Sequence, residues 1–231
     1  MRVVSLVPSL TEAIAVSRPG ALVGATDWCV RPADLPVTRV RGTKNPDLAA
    51  IAALRPDLVV VNEEENRRAD AEALTRLGVE VFVTDGRSVD GALGELDRLL
   101  ARLDAPHREW LEQARRAWAD TAAGPAWRVV VPVWQRPWVF LGADTYAGDV
   151  LRRLGLVNVL ADQPERYPRL DPGALPAYDV VVLPDEPYRF TAADGPQAFA
   201  GRPYRLVDGQ SLTWYGPAMI GAAARLRAQL A

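Results

Sequence analysis

The chain is poor in the side chains that hold bare metals: its 231 residues include one cysteine, one histidine and two methionines. A single cysteine, Cys29, excludes an internal disulfide framework. Transition-metal sites usually draw on several His and Cys ligands, and Cys29 and His107 are the only ones present. A metal handled by this chain is therefore expected to arrive already chelated. Hard cations need only oxygen ligands, but no segment has the pattern of an EF-hand loop. Cys29 itself is expected to be a small buried apolar residue. No stretch reaches the roughly 18–20 apolar residues that a membrane span needs, so no membrane insertion is expected. Neither sign of charge dominates: 27 Lys and Arg face 29 Asp and Glu, for a net charge of −2 and a pI near 5.6. That balance argues against a nucleic-acid surface, which normally carries a basic excess.

Signs of catalysis are equally thin. There is no Gly-x-Ser-x-Gly elbow, no Gly-x-x-x-x-Gly-Lys phosphate loop and no His-Glu-x-x-His pair. A Ser-His-Asp triad would have to use His107, whose expected helical position gives no reason to place it beside a nucleophile. The first residues, Met1 to Pro8, already read as a strand with no charged region, apolar core and cleavage site ahead of them. The expected location is cytoplasmic as the sequence stands, and periplasmic or extracellular if Met1 replaces a longer leader.

Short β-branched runs alternate with helical patterns, which favours an α/β fold with mainly parallel sheets. Strands are expected at Val3–Leu6, Leu22–Ala25, Leu58–Val61 and Val81–Val83, and helices at Thr11–Val16, Pro46–Leu54 and Ala69–Leu77. Ser9 and Thr11 suit caps of the first helix, and Gly78 suits the residue past a helix C-terminus. Leu93, Leu96, Leu99, Leu100 and Leu103 give Val89–Leu103 one apolar helical face. Pro106 suits the first turn of a second helix running to about Ala123, roughly 27 Å long, with Gly124-Pro125 ending it. A second α/β set follows, with strands at Arg128–Val133, Trp138–Leu141, Val180–Leu183 and Arg205–Val207 and helices at Tyr146–Leu154 and Pro217–Leu230. The expected organisation is an N-terminal lobe over residues 1–88, linking helices over 89–124 and a C-terminal lobe over 125–231. The fold class is two Rossmann-like lobes joined by one long helix.

Two segments echo each other. Pro56–Glu65 and Tyr178–Glu186 each run an apolar strand into an acidic loop. Ligands of open α/β sheets bind outside the carboxyl ends of the strands, so Glu63, Glu64, Glu65, Asp185 and Glu186 are expected near a cleft between lobes, or else are simply solvated. Of the seven tryptophans, Trp110 and Trp118 fall on helical faces and Trp127 at a strand start, and all three read as packing. Trp28, Trp134, Trp138 and Trp214 fall in or beside loops, where binding residues concentrate. Tyr215 adjoins the last of these and Tyr188 follows the second acidic loop. Large aromatic faces suit a flat macrocycle, an aromatic ligand or a cation. Arg31, Lys44 and Arg67 suit amide or carboxylate groups, or pair with nearby acids.

The order of several motifs resembles the helical-backbone metal receptors, a family of periplasmic binding proteins that includes vitamin B12 and iron-siderophore receptors. The motifs are Ser5-Leu6-Val7-Pro8-Ser9-Leu10-Thr11-Glu12, Val23-Gly24-Ala25-Thr26-Asp27, Ala53-Leu54-Arg55-Pro56-Asp57-Leu58-Val59, Leu77-Gly78-Val79-Glu80-Val81 and Val150-Leu151-Arg152-Arg153-Leu154-Gly155, the last followed by Asn158. The resemblance implies a ligand held between lobes that move little, often by aromatic side chains. In cobalamin-binding members an aromatic follows the Val-Gly motif, a place held here by Trp28, and another falls near Tyr167. The aromatic expected near Thr43 is missing, with Lys44 and Asn45 beside it. Importer-coupled members present one glutamate per lobe to the membrane permease, and those places fall on Ala49 and near Pro172, with Asp47 and Asp171 close by.

The leading expectation is thus a non-enzymatic ligand-binding protein of the ABC-importer type, holding a cobalamin-like or iron-siderophore-like chelate. The expected contacts are Trp28, Lys44, Asn45, Glu64, Asn66, Trp134, Trp138, Tyr167, Asp185, Glu186, Trp214 and Tyr215. No cofactor beyond the bound corrinoid or other chelate is expected, and an ABC permease partner stays open because the docking glutamates are absent. Two alternatives remain: a cytoplasmic enzyme using the acidic loops as acid and base, and a regulatory module that binds a protein partner.

Overall fold

The computed structural model describes residues 1–119, 124 and 126–231. These form two compact units. The first comprises Met1–Asp85, Gly91–Glu112 and Tyr215–Pro217, and the second Gly86–Asp90, Gln113–Trp214 and Ala218–Ala231.

In the first unit the chain order is β1 (Val3–Ser5), α1 (Pro8–Ser17), β2 (Leu22–Ala25), β3 (Thr38–Arg39), β4 (Arg41–Gly42), β5 (Asn45–Pro46), α2 (Leu48–Ala53), β6 (Leu58–Asn62), α3 (Arg68–Arg76) and β7 (Glu80–Thr84). Five strands make a parallel sheet in the order β3-β2-β1-β6-β7. The central strands β1 and β6 are buried along their whole length, as expected for parallel strands covered on both faces. Val59 and Val61 of β6 share one face and pack with Val4, Leu6, Val40, Ile51 and Leu74.

Ser9 and Thr11 do not cap α1. The helix starts earlier, with Val7 at the N-cap and Pro8 in the first turn, where proline's fixed φ and missing N–H are best tolerated. The two hydroxyls are consequently inside the helix and buried. Gly78 does follow α3 as expected: its φ is +79° and its N–H donates to the Thr75 carbonyl, a backbone state that glycine adopts without a Cβ penalty.

The next two helices are α4 (Val89–Arg102) and α5 (Glu109–Ala119). Leu93, Leu96, Leu99, Leu100 and Leu103 are all buried, as their spacing requires. The second helix begins three residues beyond Pro106, and in the connection the His107 N–H donates to the Ser17 carbonyl at 3.1 Å. His107 is exposed in this connection and not on a helix. The expected continuation to Ala123 and the Gly124-Pro125 stop fall largely on residues 120–123 and 125, outside the described residues.

The second unit contains β8 (Arg128–Val130), β9 (Pro132–Trp134), β10 (Val139–Phe140), α6 (Tyr146–Arg153), β11 (Val157–Asn158), β12 (Val180–Pro184), β13 (Tyr204–Val207), α7 (Gly209–Thr213) and α8 (Met219–Leu230). Its parallel sheet runs β11-β8-β12-β13. The single strand expected over Arg128–Val133 is split in two. Pro132 has no N–H for a ladder, so the chain leaves the parallel sheet there and pairs antiparallel with β10 instead. Val130, Phe140, Leu160, Val181, Leu183, Phe190 and Phe199 form the core beneath.

Asp149 on α6 ties several parts of this unit together. It accepts from the Val89 N–H at 2.9 Å, from Arg152 at 2.9 Å and from Arg153 at 3.1 Å. Burial pushes its carboxyl up, but the Val89 hydrogen bond and the two guanidiniums outweigh burial and hold it below the ordinary range. A depressed folded pKa gives stability that is complete above the unfolded value of about 3.9 and is lost as pH falls through the folded value. Asp149→Asn should therefore cost roughly 1.5–3 kcal/mol near neutral pH and flatten the acid limb of the stability profile. Urea melts at a series of pH values check this, and an unchanged acid limb would contradict it.

Candidate functional site at the carboxyl edges of the two sheets

In the first unit, the turns after β2, β3 and β6 converge on the carboxyl edge of the sheet. Asn62, the last residue of β6, organises the acidic loop: its Oδ1 accepts from Glu64 N at 2.9 Å and Glu65 N at 3.1 Å. Asn66 then closes the turn. Its Oδ1 accepts from Asn62 N at 2.8 Å, and its Nδ2 donates to the carbonyls of Leu6 at 3.2 Å and Thr43 at 3.1 Å. Lys44, at the tip of the β4–β5 hairpin, donates to the Glu64 carbonyl at 2.6 Å. Asn45 is exposed on the same hairpin, beside Gly42, where an added Cβ would run into Asn45 Oδ1 and come within 3.4 Å of Trp28 Nε1.

Trp28 lies in the loop after β2 and is 66% exposed. The loop is nevertheless fixed from below. Arg39 donates to the carbonyls of Thr26 at 2.8 Å and Cys29 at 2.9 Å. Cys29 is fully buried, with its sulfur 3.0 Å from Thr11 Oγ1 and 3.1 Å from Thr26 Oγ1. Burial pushes its thiol up, more than those hydrogen bonds lower it. It stays a neutral packed thiol, as its sequence context suggested, and supplies no thiolate ligand.

Tyr215 belongs to this unit and is buried, at 5% exposure. Its hydroxyl accepts from Asn62 Nδ2 at 2.6 Å and lies 3.1 Å from Thr84 Oγ1. Burial keeps the phenol protonated far above its ordinary range. The residue anchors the turn that presents the acidic loop. Tyr215→Phe should cost about 1–3 kcal/mol by leaving buried partners unsatisfied, measurable by chemical denaturation; a loss below about 0.5 kcal/mol would show that Asn62 and Thr84 satisfy each other without it.

In the second unit, the β9–β10 hairpin and the loops after β12 and β13 occupy the corresponding carboxyl edge. Trp134 is 45% exposed and meets Tyr188 edge-on, with ring centroids 5.5 Å apart. Trp138 is instead half-buried and packed against the core: it stacks on Phe190 at 6.0 Å and Phe140 at 6.1 Å and meets Phe199 edge-on at 5.4 Å. Tyr167, 40% exposed, sits on a segment that runs along β10, tied by Phe140 N to the Pro168 carbonyl and Gly142 N to the Arg166 carbonyl. Asp185 accepts from Gly209 N at 2.7 Å. Glu186 accepts from Gln210 Nε2 at 2.9 Å and from the indole of Trp214 at 3.1 Å. Burial raises the Glu186 carboxyl, with neighbouring Asp185 adding to it and Gln210 opposing. Trp214 is itself buried.

The sequence-selected residues therefore divide into two groups. Trp28, Lys44, Asn45, Glu64, Trp134, Tyr167, Asp185 and Glu186 are exposed or half-buried on the two carboxyl edges, whereas Asn66, Trp214 and Tyr215 are buried and the half-buried Trp138 is packed against the core by Phe140, Phe190 and Phe199. Gln135 and Asp194, both bonded to Tyr188, were not singled out by sequence, where a glutamine in a turn and an aspartate in a distant loop carry no shared signal. Two surface grooves lie elsewhere: one of about 470 Å³ along α3 and β7, and one of about 370 Å³ beside α6 and β11. Neither is lined by Trp28, Trp134 or Tyr167. Among the described residues, no group of three or more His, Cys, Asp or Glu side chains could hold a metal ion.

Parallel sheets whose carboxyl edges carry exposed aromatics in a hydrogen-bonded polar frame define an α/β ligand-binding class of protein. The family model described as periplasmic binding protein matches residues 3–183, and the chain belongs to that family, one of binding proteins. Its curated relatives include the vitamin B12-binding protein of Pectobacterium carotovorum, 25% identical over 184 residues, covering 73% of this chain and 65% of that protein. The vitamin B12-binding protein of Salmonella choleraesuis is 27% identical over 178 residues, covering 73% of this chain and 66% of its own length. The matches to these curated relatives thus span just under two thirds of their length. Among solved structures, a periplasmic heme-binding protein in complex with two hemes superposes with a TM-score of 0.79 at 23% identity, covering 99% of this chain and 97% of that one. The periplasmic vitamin B12 binding protein of Vibrio cholerae gives 0.76 at 19%, covering 99% and 96%. At these identities the solved structures establish the fold, two Rossmann-like lobes with parallel sheets. No helix among the described residues is long and apolar enough to cross a membrane.

Proposed function

We propose that this chain binds a metal chelate, a corrinoid or haem in first place and an iron-siderophore in second, as the substrate-binding component of an ABC importer. The observation that carries the reading is Trp28: a tryptophan 66% exposed on a loop that is otherwise held rigid. An indole left in water on a fixed support is a preformed apolar contact for a flat ligand. Trp134 and Tyr167 offer the same in the second unit, and Lys44, Asn45, Glu64, Asp185 and Glu186 are the proposed polar contacts. The family membership and the names of its relatives, which bind vitamin B12 or heme, support this choice of ligand class. The metal arrives chelated, since Cys29 is a buried neutral thiol and His107 lies in the α4–α5 connection.

The proposed compartment is the periplasm, as in the family, in place of the cytoplasm expected from the first residues. Coupling to a permease would work without the carboxylates that importer-coupled members present. Ala49 and Pro172 stand at those places. Asp47 and Asp171 are engaged as N-caps, accepting from Ala50 N at 3.0 Å and Gly173 N at 2.7 Å. The raised carboxyl of Glu186 is the feature an acid–base enzyme would need, but Gln210 and the Trp214 indole donate to its two oxygens, which favours a fixed polar contact over proton transfer. Tryptophan-fluorescence titration with cyanocobalamin, haemin and a ferric siderophore tests the reading. Saturable quenching at one equivalent by one of them is expected, and no quenching by any would overturn it.

A further inference from the structure

The β9–β10 hairpin that carries Trp134 is poorly supported by its own backbone. It is a two-stranded ribbon with an irregular register between Trp134–Val139 and Pro132–Phe140, and two-stranded ribbons are marginal in water by themselves. Its turn residue Arg136 has φ +62°, a state that costs a non-glycine residue energy. Three side chains from two segments, the hairpin turn and the loop after β12, compensate. Gln135, in the turn and buried to 7% exposure, donates from Nε2 to the Tyr188 hydroxyl and, at 2.8 Å, to Asp194 Oδ1. The Tyr188 hydroxyl donates onward to Asp194 Oδ2 at 2.6 Å. Asp194 is fixed in turn by the Thr191 hydroxyl, which accepts from its N–H at 3.1 Å, and Arg136 lies 3.8 Å from its Oδ1. The ring of Tyr188 packs tilted against Phe190, with centroids 4.7 Å apart, and lies nearly perpendicular to the Trp134 indole at 5.5 Å.

We infer that Gln135, Tyr188 and Asp194 form a positioning clamp that holds the Trp134 indole in its ligand-binding orientation. The inference rests on the reading of Trp134 as a ligand contact and adds the residues that set its geometry. A closed triangle of hydrogen bonds linking the hairpin turn to the loop after β12 does more than satisfy a buried glutamine. It removes the freedom that an exposed ring on a soft ribbon would otherwise lose on binding, which is the cost that preorganisation avoids. The hydrogen bonds from Tyr188 and Gln135 also hold the Asp194 carboxyl below its ordinary range, so the triangle keeps its charged acceptor near neutral pH.

The test uses the full chain labelled with 5-fluorotryptophan, its Trp134 resonance assigned by Trp134→Phe. Tyr188→Phe keeps the ring against Trp134 and deletes only the hydroxyl, and Asp194→Asn is the second variant should the first fail to fold. In the ligand-free protein the Trp134 fluorine line is expected to broaden or split in either variant, while the Trp28 and Trp118 lines stay unchanged. Affinity for cyanocobalamin, haemin or a ferric siderophore, whichever the parent protein binds, is expected to fall about three- to tenfold. An unshifted, sharp Trp134 line with unchanged affinity in both variants would overturn the clamp. If the parent protein binds none of cyanocobalamin, haemin and a ferric siderophore, the proposed function fails, and the Trp134 line in the ligand-free variants decides the clamp: broadening upholds it and an unchanged line overturns it.

Discussion

Trp28→Ala and Trp134→Ala are each expected to weaken binding of the corrinoid or haem ligand by about tenfold or more, with folding left intact. The two indoles are 66% and 45% exposed, so little packing is lost when they are removed, and surface changes of this kind usually alter stability by within about 0.5 kcal/mol. Buried under a ligand, a tryptophan of this size is typically a hot spot worth about 2 kcal/mol or more. The two lie on different units, and if their effects are independent the double variant should bind about a hundredfold more weakly. Trp138→Ala and Trp214→Ala make the informative contrast. Trp138 is stacked among Phe140, Phe190 and Phe199, and the Trp214 indole is bonded to Glu186, so their removal should destabilise the chain first. Titration calorimetry beside urea melts separates the cases. Full affinity in both Trp28→Ala and Trp134→Ala would remove the two aromatic contacts from the account.

Trp118→Ala carries the largest expected effect on stability, about 3–5 kcal/mol. Trp118 is 1% exposed at the end of α5, and its indole N–H donates to the Met219 carbonyl at 3.0 Å. Met219 begins α8, whose inner face of Ala222, Ala223 and Leu226 is buried in the same unit. Deleting the indole opens a cavity and removes that hydrogen bond. Against a typical total of about 5–15 kcal/mol, such a loss leaves a marginal protein. A midpoint shift in guanidinium equivalent to less than about 1 kcal/mol would show that α5 and α8 close over the gap.

Much of the fold was legible because its central strands leave a strong imprint. Leu58–Val61 and Val180–Leu183 are unbroken apolar runs, the pattern a parallel strand needs when helices cover both faces, and each was placed within a residue of its observed end. The α4 leucines repeat at helical spacing, so that helix was equally plain. The two-residue strands β3, β4, β5 and β11 left no trace, since two residues carry no periodicity. The hairpin β4–β5 matters most among them, because it sets Lys44 and Asn45 beside the acidic loop.

The candidate site was only half legible for a different reason. Trp28, Trp134, Trp138 and Trp214 look alike in sequence, each a tryptophan in or near a loop. What separates them is supplied from far along the chain: Phe190 and Phe199 cover Trp138, and Glu186 takes the Trp214 indole. Cys29 was read correctly as a packed thiol, but the Ser5, Thr11 and Thr26 groups around it converge only once α1 and β2 are in place. The motif order of the family resemblance pointed to the fold without distinguishing these partners.

The most direct test of chelate binding is native mass spectrometry, joined to optical absorption, on the protein purified from its own source before any contact with chelators. A coloured adduct at one equivalent is expected, with the mass and spectrum of a corrinoid, a haem or a ferric siderophore. A colourless protein of the bare chain mass, unchanged after incubation with cyanocobalamin, haemin and ferric siderophore, would contradict it.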